Sequence, residues 1–145
     1  MNIPFISSPG TLTINVQDEK PSYAPGDKIT GTVSLRGGGG RARSLTITLE
    51  CCEFVNVQCG SGKHRRKSME WVTVFEKQVV LGGEGDYSDC VRNFEFVIPM
   101  DAPPTIRQNP VDVQKQGAGL RWVLHAKLDI PWGQDANAEK AIFVK

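Results

Sequence analysis

The most regular stretch of the chain is Ser44-Leu45-Thr46-Ile47-Thr48-Leu49-Glu50-Cys51, and it decides the fold class. Apolar and polar residues alternate here with a period of two, so a β-strand would turn one apolar face inward and one polar face to solvent. We therefore predict a half-buried strand that begins at Ser44 and continues to Phe54.

The same alternation, or a strand-typical composition, recurs along the rest of the chain. Glycine and proline, 15 and 9 residues respectively, fall between these runs and punctuate them. The segment 136–140 suits a helix but is shorter than the roughly 12 residues that a marginal isolated helix requires. The runs outside 44–54 that predict strands are 11–17, 28–35, 71–81, 91–98, 120–130 and 140–145.

Seven or eight alternating strands in one domain predict two packed antiparallel sheets, an all-β, immunoglobulin-like sandwich that spans residues 1–145. The turn at Tyr23-Ala24-Pro25-Gly26-Asp27 has the residues of a type II turn, because Pro25 presets φ and Gly26 tolerates a positive φ. Residues 55–70 lose the strand pattern. The four glycines of 37–40 predict a turn or an exposed loop.

Composition excludes several classes of function. A formal net charge of +1 gives no global field that would attract nucleic acid or an acidic membrane. No stretch approaches the roughly 20 apolar residues of a membrane-spanning helix, and residues 1–10 lack the basic region of a signal peptide. Four cysteines are few for a secreted disulfide scaffold. We therefore expect reduced thiols and a cytoplasmic protein.

Two blocks of sequence resemble the N-terminal domain of the arrestin family. The first, Tyr23 to Val33, is similar to the pattern Y-x-P-G-[DE]-x-[IV]-x-G-x-V. The second joins Pro103-Pro104-Thr105 to Gly119–Trp132 and is similar to P-P-S…G-x-[IL]-R-[YW]-x-[LV]-x-A-x-[IL]-D-x-P-W. The second block most resembles the arrestin-domain-containing (α-arrestin) branch, and the resemblance covers essentially the whole chain.

This resemblance implies an arrestin-type sandwich that acts as an adaptor or scaffold without catalysis. Family members typically carry two such sandwiches, so we expect either a stand-alone domain or the first half of a two-sandwich protein. The chain contains no Pro-Pro-x-Tyr motif and no paired basic residues at its start. The resemblance therefore does not extend to ubiquitin-ligase recruitment or to phosphoreceptor binding.

A basic run is the first candidate site. Lys63, Arg65, Arg66 and Lys67 place four positive charges within five residues on a predicted hairpin loop. Such a cluster could bind phosphorylated peptides or acidic lipid headgroups, since Arg grips phosphate bidentately. The simpler interpretation is a solvated loop tip. The run has no interleaved aromatic residues, which argues against single-stranded nucleic acid.

Metal and disulfide interpretations are weaker. Cys51, Cys52, Cys59 and His64 offer no Cys-x-x-Cys pair, and Cys51 belongs to an apolar alternation that favours a buried thiol. Adjacent Cys51 and Cys52 should point to opposite faces of their strand. A disulfide between Cys59 and Cys90 remains open.

Catalytic interpretations fail on geometry. His125 and Asp129, four residues apart on one strand, would lie about 13 Å apart, so they cannot act as an acid–base pair. His125 should instead lie on the outer face. Trp122 alternates inward and should be in the core. Trp132 is either a partly exposed anchor for a partner or a lid on the sandwich rim, and Trp71 is ambiguous.

The sequence thus predicts a non-catalytic domain that binds other proteins through loops at one end or through an exposed sheet edge. Weak binding to phosphorylated or acidic surfaces would accompany a functional basic run. Two alternatives remain: a carbohydrate- or anionic-lipid-binding module, and a self-assembling domain that dimerises through its sheet edges. We expect no enzymatic activity, no cofactor, no metal and no nucleic-acid partner.

Overall fold

A computed structural model describes residues 10–38, 40–59, 66–106, 119–131 and 133–145, with the backbone alone for 56–59 and 66–69. The regular elements of these residues are all β-strands, which confirms the predicted class. They are β1 (Thr11–Val16), β2 (Lys28–Arg36), β3 (Gly40–Ala42), β4 (Ser44–Cys59), β5 (Arg66–Gly82), β6 (Gly85–Tyr87), β7 (Cys90–Val97), β8 (Gly119–Asp129) and β9 (Ala136–Ile142). Within the described ranges, no helix is long and apolar enough to cross a membrane.

The strands form two main antiparallel sheets that pack as a sandwich. Sheet I has the order β1-β2-β7, and sheet II has the order β5-β4-β8-β9. A separate ribbon pairs β3 with β6. Strand β1 contacts β8 and β9, whereas β7 contacts β5. The edges of the two sheets therefore meet on both sides of the sandwich, and β5 and β7 share one side.

The core lies between the two sheets, where the alternating residues predicted it. Leu45, Ile47, Leu49 and Cys51 of β4 are at most 1% exposed. Trp122 of β8 is fully buried, as predicted. The other strands contribute the rest of the inward-facing side chains, among them Ile14, Ile29, Val33, Leu35, Phe96, Ile98, Leu124 and Leu128.

The predicted type II turn is confirmed. Gly26 has φ +89°, and the N–H of Asp27 donates to the carbonyl of Ala24 at 3.0 Å. The Asp27 carboxylate accepts a hydrogen bond from the Ala24 N–H at 2.8 Å. That bond lowers the pKa of Asp27 below its ordinary value, and nearby Lys20 favours the charged form further.

Tyr23, the first residue of the same motif, pairs with the last residues of the described chain. It forms a parallel bridge with Val144, with hydrogen bonds from Tyr23 N–H to Phe143 and from Lys145 N–H to Tyr23. Thr105 pairs with Val144 on its other side: its N–H donates to the Val144 carbonyl, and its Oγ1 accepts from the Val144 N–H at 2.9 Å. The motif residues therefore close one end of the sandwich.

Gly31 lies in β2, the central strand of sheet I, opposite Val16 of β1 and Phe94 of β7. A Cβ added to Gly31 would lie 2.9 Å from Cζ of Phe94 and still closer to the carbonyl oxygen of Asn15. The Phe94 ring thus occupies the space that a side chain of Gly31 would need.

Three boundaries differ from the sequence prediction. Residues 136–140 form most of β9, because β8 supplies hydrogen-bond partners from Ala136 to Ile142. The β4–β5 hairpin extends to Cys59 and Arg66, inside the segment predicted to be irregular. Gly40, predicted to lie in a loop, begins the short strand β3, and with the short strand β6 the described residues hold nine strands.

Candidate functional site

The sequence-predicted site residues lie mostly outside the described residues. Lys63, Arg65 and Trp132 belong to undescribed positions. Arg66 and Lys67 begin β5, and their backbones pair with Cys59 and Gln58. Their side chains also lie outside the description, so binding by the basic run and by Trp132 stays a prediction.

The backbone nevertheless shows where the basic run is carried. Strand β4 pairs with β8 only from Ser44 to Phe54, whereas its pairing with β5 continues to Cys59. The last five β4–β5 pairs, from Val55–Glu70 to Cys59–Arg66, therefore form a two-stranded ribbon that projects past the end of β8. Arg66 and Lys67 are at the far end of this ribbon.

Strand β5 is an edge of sheet II and is irregular in two places. Its register against β4 shifts between Cys51 and Cys52, which leaves Val74 as an extra residue, and again between Leu45 and Thr46. Such β-bulges are common on edge strands, where they twist the edge and disfavour unwanted pairing with strands of other chains. Val74 is 51% exposed and Val80 is 62% exposed.

Beside the Val74 bulge there is a small cleft with both apolar and polar lining, which we call the edge cleft. Its volume is about 210 Å³. The Cys51 and Trp122 side chains, both fully buried, form its floor, and exposed Val74 lies at its mouth. The complete lining is Cys51, Val74, Phe75, Pro99, Asp101, Ala102, Pro103 and Trp122.

The walls of the edge cleft are held in place by specific contacts. The Trp122 indole N–H donates to the Pro103 carbonyl at 2.9 Å, which ties the loop after β7 to the floor. The rings of Phe75 and Trp122 pack with their centroids 5.6 Å apart. Aromatic pairs at this distance are mutually stabilising. The cleft is therefore a preformed feature of the folded domain.

Cys51 and Cys52 point to opposite faces of β4, as predicted. Cys51 is in the core, and burial raises the pKa of its thiol to about 11, with the charges of Cys52 and Glu53 adding to the effect. A thiol with this pKa stays protonated near neutral pH and is a poor nucleophile. Among the described residues, no group of His, Cys, Asp and Glu could hold a metal ion.

Cys52 belongs instead to a cluster on the outer face of sheet II, which we call the arginine patch: Cys52, Phe54, Trp71 and Arg121. Arg121 lies opposite Cys52 and Trp71 lies opposite Phe54. The Arg121 guanidinium lies over the Trp71 ring, 4.4 Å from its centroid. The rings of Phe54 and Trp71 are 5.2 Å apart.

His125 is on the same outer face, as predicted. Its Nε2 is 3.0 Å from Oδ1 of Asn137, and its Nδ1 is 3.6 Å from Oε1 of Glu50. The partners of the imidazole are thus an amide and a carboxylate on neighbouring strands. No hydroxyl or thiol is bonded to His125 among the described residues, so the arrangement lacks the nucleophile that a Ser–His or Cys–His pair requires.

A larger groove, of about 420 Å³, runs between residues 19–23 and the end of β9. Polar groups along it are already paired: Lys140 contacts Glu19 at 3.0 Å, and the Tyr23 hydroxyl accepts from the Lys20 N–H. Phe143, at 45% exposed, lines its rim. Among the described residues, its lining contains no serine, cysteine or histidine.

The arginine patch and the edge cleft are the features that sequence analysis missed. Alternation placed Arg121 on the outer face but left Trp71 ambiguous. Only the pairing of β4 with both β5 and β8 brings the two residues together. The cleft depends on a bulge and on a loop hydrogen bond, neither of which has a sequence pattern.

Two antiparallel sheets, with one end closed through Tyr23, Thr105 and Val144, define an arrestin-like β-sandwich domain. The family is narrower than that class. The chain belongs to the SpoOM protein (Spo0M) family, whose model matches residues 9–145. Among curated proteins there is no match.

The solved structures support the fold. The crystal structure of Spo0M, a sporulation control protein from Bacillus subtilis, matches with a TM-score of 0.66 and 21% sequence identity. The match covers 95% of this chain and 50% of the Bacillus protein. The chain therefore spans about half the length of that relative.

The predicted membership of the α-arrestin branch is wrong, because the family model assigns the chain to the distinct Spo0M family. The physical reason lies in the residues that carried the resemblance. Tyr23 and Thr105 close the sandwich end, Gly26 permits the turn, and Trp122 fills the core. These roles belong to the architecture, so they indicate the fold and not the branch.

Proposed function

We propose that this domain is a non-catalytic, cytoplasmic adaptor that binds an extended segment of another protein along the β5 edge. The observation that carries the proposal is the edge cleft, which is lined by aromatic and apolar side chains together with Asp101 and opens next to an edge strand. Peptides that add to a sheet edge gain affinity from main-chain hydrogen bonds and specificity from pockets that take alternate side chains. Strand β5 and the edge cleft supply both elements.

The dimensions of the edge cleft indicate what it would hold. Apolar cavities of about 150 Å³ accept a benzene-sized group, so a cleft of about 210 Å³ can take one leucine or phenylalanine side chain. Phe75, Trp122 and Pro103 would contact that side chain, and Val74 would flank it. The partner is therefore an extended segment with an apolar residue at one fixed position.

The absence of catalysis is part of the same proposal. The Cys51 thiol has a pKa of about 11 and forms part of the floor of the edge cleft. His125 contacts Glu50 and Asn137 on the opposite face of the sheet. The Cys51 thiol and the His125 imidazole are therefore separated by the sheet itself. Cytoplasmic residence is supported by the free thiols Cys51, Cys52 and Cys90.

A peptide library tests the proposal without a known partner. A phage-displayed heptapeptide library is panned on the native domain, and enriched peptides are titrated against two variants by fluorescence anisotropy. Ala102→Leu fills the edge cleft, while Ala141→Leu adds the same side chain at an exposed position of β9. A Val74→Lys variant, with a charge at the mouth of the cleft, serves where Ala102→Leu is poorly folded.

We expect enriched peptides to share an apolar residue at one position. Ala102→Leu should weaken their binding at least tenfold, and Ala141→Leu should leave it within about twofold. Amide hydrogen exchange along β5 should slow when the peptide binds, because its free edge becomes paired. A library that enriches nothing, or peptides that bind both variants equally, would show that the edge cleft is not a docking site.

A further inference from the structure

We propose that the arginine patch binds a carboxylate of an acidic peptide segment in the partner, with Arg121 as the residue that contacts it. This inference rests on the proposed function, because it names the chemistry of the partner. The site lies on the outer face of sheet II, whereas the edge cleft opens on the core side. The two can therefore be tested separately.

Arg121 is partly buried and, like the exposed Arg92, has no anionic partner among the described residues. Arg36, Arg41 and Arg43 each have a carboxylate oxygen within 4.0 Å, namely from Asp89, Glu84 and Asp129. In the part of the chain that the structure describes, Arg121 forms no ion pair and no hydrogen bond, and its Nε is buried without a partner. A partly buried cation without a counter-charge gains more from binding an anion than an exposed, hydrated one.

The patch also holds the guanidinium in place. The Trp71 ring lies beneath it and is itself supported by Phe54. A guanidinium over an indole keeps its positive charge while losing side-chain freedom, and weak hydration makes arginine the cation that suits such positions. The entropy that a flexible surface arginine would lose on binding is therefore already spent in the folded domain.

The geometry favours a carboxylate at the end of a side chain. Because Nε is buried, only the terminal nitrogens of the guanidinium remain for a ligand, and two terminal N–H groups match the two oxygens of a carboxylate. The nearest acidic residue of the same outer face on β4, Glu50, is occupied by His125 at 3.6 Å. An acidic partner side chain would therefore meet an uncompensated cation.

The probe is a fluorescein-labelled octaglutamate peptide, with octaglutamine as the neutral comparison. Anisotropy gives the affinity, and the side-chain Nε–Hε resonance of Arg121 in the ¹⁵N spectrum reports whether the guanidinium is contacted. The variants are Arg121→Gln, Trp71→Leu and Arg92→Gln. Arg92 is the matched control, an exposed arginine of β7 without an ion pair among the described residues.

Octaglutamate should bind and shift the Arg121 resonance, and octaglutamine should not. Arg121→Gln should weaken binding at least tenfold, the loss expected for a charge-assisted hydrogen bond. Trp71→Leu should weaken it at least threefold although no charge is removed, whereas Arg92→Gln should change it by less than twofold. Thermal unfolding confirms that each variant is folded.

Several results would overturn the inference. Equal losses from Arg121→Gln and Arg92→Gln would indicate attraction by general charge, and full binding by Arg121→Gln would place the anion site elsewhere. Arg121-dependent binding to phosphatidylglycerol vesicles without any binding of octaglutamate would assign the patch to a membrane surface. Ala102→Leu should bind octaglutamate normally, so failure of the edge-cleft proposal alone would leave this result unchanged.

Discussion

Replacing Gly31 with alanine tests how tightly the centre of sheet I is assembled. The new methyl carbon would lie 2.9 Å from Cζ of Phe94, whereas relaxed carbon–carbon contacts are about 3.5–4.0 Å. The Phe94 ring would have to move by roughly 0.6–1 Å. The second obstacle, the carbonyl oxygen of Asn15, belongs to the backbone of the paired strand β1 and cannot move without disturbing the ladder.

These contacts set the expected magnitude. Overpacking a core by one methyl group costs about 1–3 kcal/mol, and a backbone obstacle places Gly31→Ala at the upper end. Alanine also stiffens the unfolded chain, which offsets about 0.4–1 kcal/mol. We therefore expect a net loss of about 2–2.6 kcal/mol of unfolding free energy, or a fall in Tm of about 5–10 °C for a chain of this size.

Urea unfolding followed by tryptophan fluorescence measures this loss. Gly83→Ala is the control, because a Cβ on Gly83 meets nothing within 4 Å and its φ is not positive. It should be at least as stable as the native domain. A double-mutant cycle with Phe94→Leu should show favourable coupling, because the smaller side chain relieves one of the two contacts. If Gly31→Ala unfolds within about 0.5 kcal/mol of Gly83→Ala, the reasoning about this contact is wrong.

Two further predictions concern buried polar groups. Thr105→Val keeps the side-chain shape but leaves the N–H of Val144 without its acceptor, so it should lower the unfolding free energy measured in urea by about 1–3 kcal/mol. Thr105→Ser, which keeps the hydroxyl, should lower it much less. Equal losses in the two variants would contradict the role of the hydroxyl. The folded pKa of Cys51, about 11, exceeds its unfolded value, so its contribution to stability is intact below about pH 9 and is lost as pH rises toward 11. Cys51→Ala should reduce the loss of stability between about pH 9 and 11. At pH 8 a thiol reagent should modify the partly exposed Cys90 long before the buried Cys51. Rapid labelling of Cys51 in the folded domain would refute its burial.

The strands that sequence predicted best are those whose side chains alternate cleanly. In β4, Leu45 and Ile47 face the core while Thr46 and Thr48 lie on the opposite face, so a period of two was sufficient to assign the two faces. It did not predict that Thr46 and Thr48 are also buried rather than exposed to solvent. Strand β9 could not be predicted in the same way, because Ala136–Lys140 has little intrinsic preference for a strand. It is extended because β8 presents an unpaired edge, which is a property of the tertiary structure.

The candidate sites were harder to predict than the fold, for a physical reason. A bulge at Val74 shifts the register of β5, so sequence distance along the strand no longer gives the neighbours across it. The contact between Arg121 and Trp71 joins strands that are both paired with β4 and far apart in the chain. Basic residues at 63–67 are conspicuous in the sequence, whereas a single arginine without a counter-charge becomes visible only when its surroundings are known.

The bridge between Tyr23 and Val144 also constrains how the domain is made. Most residue contacts of the domain join residues distant in sequence. Folds of this kind assemble slowly because long loops must close before their contacts form. Tyr23 leaves the ribosome well before Val144. Until Val144 emerges, the β2–β7 pair and the β4–β5 hairpin can form, but the end of the sandwich stays open with apolar side chains exposed. We therefore expect newly made chains to be open to aggregation until this pairing forms.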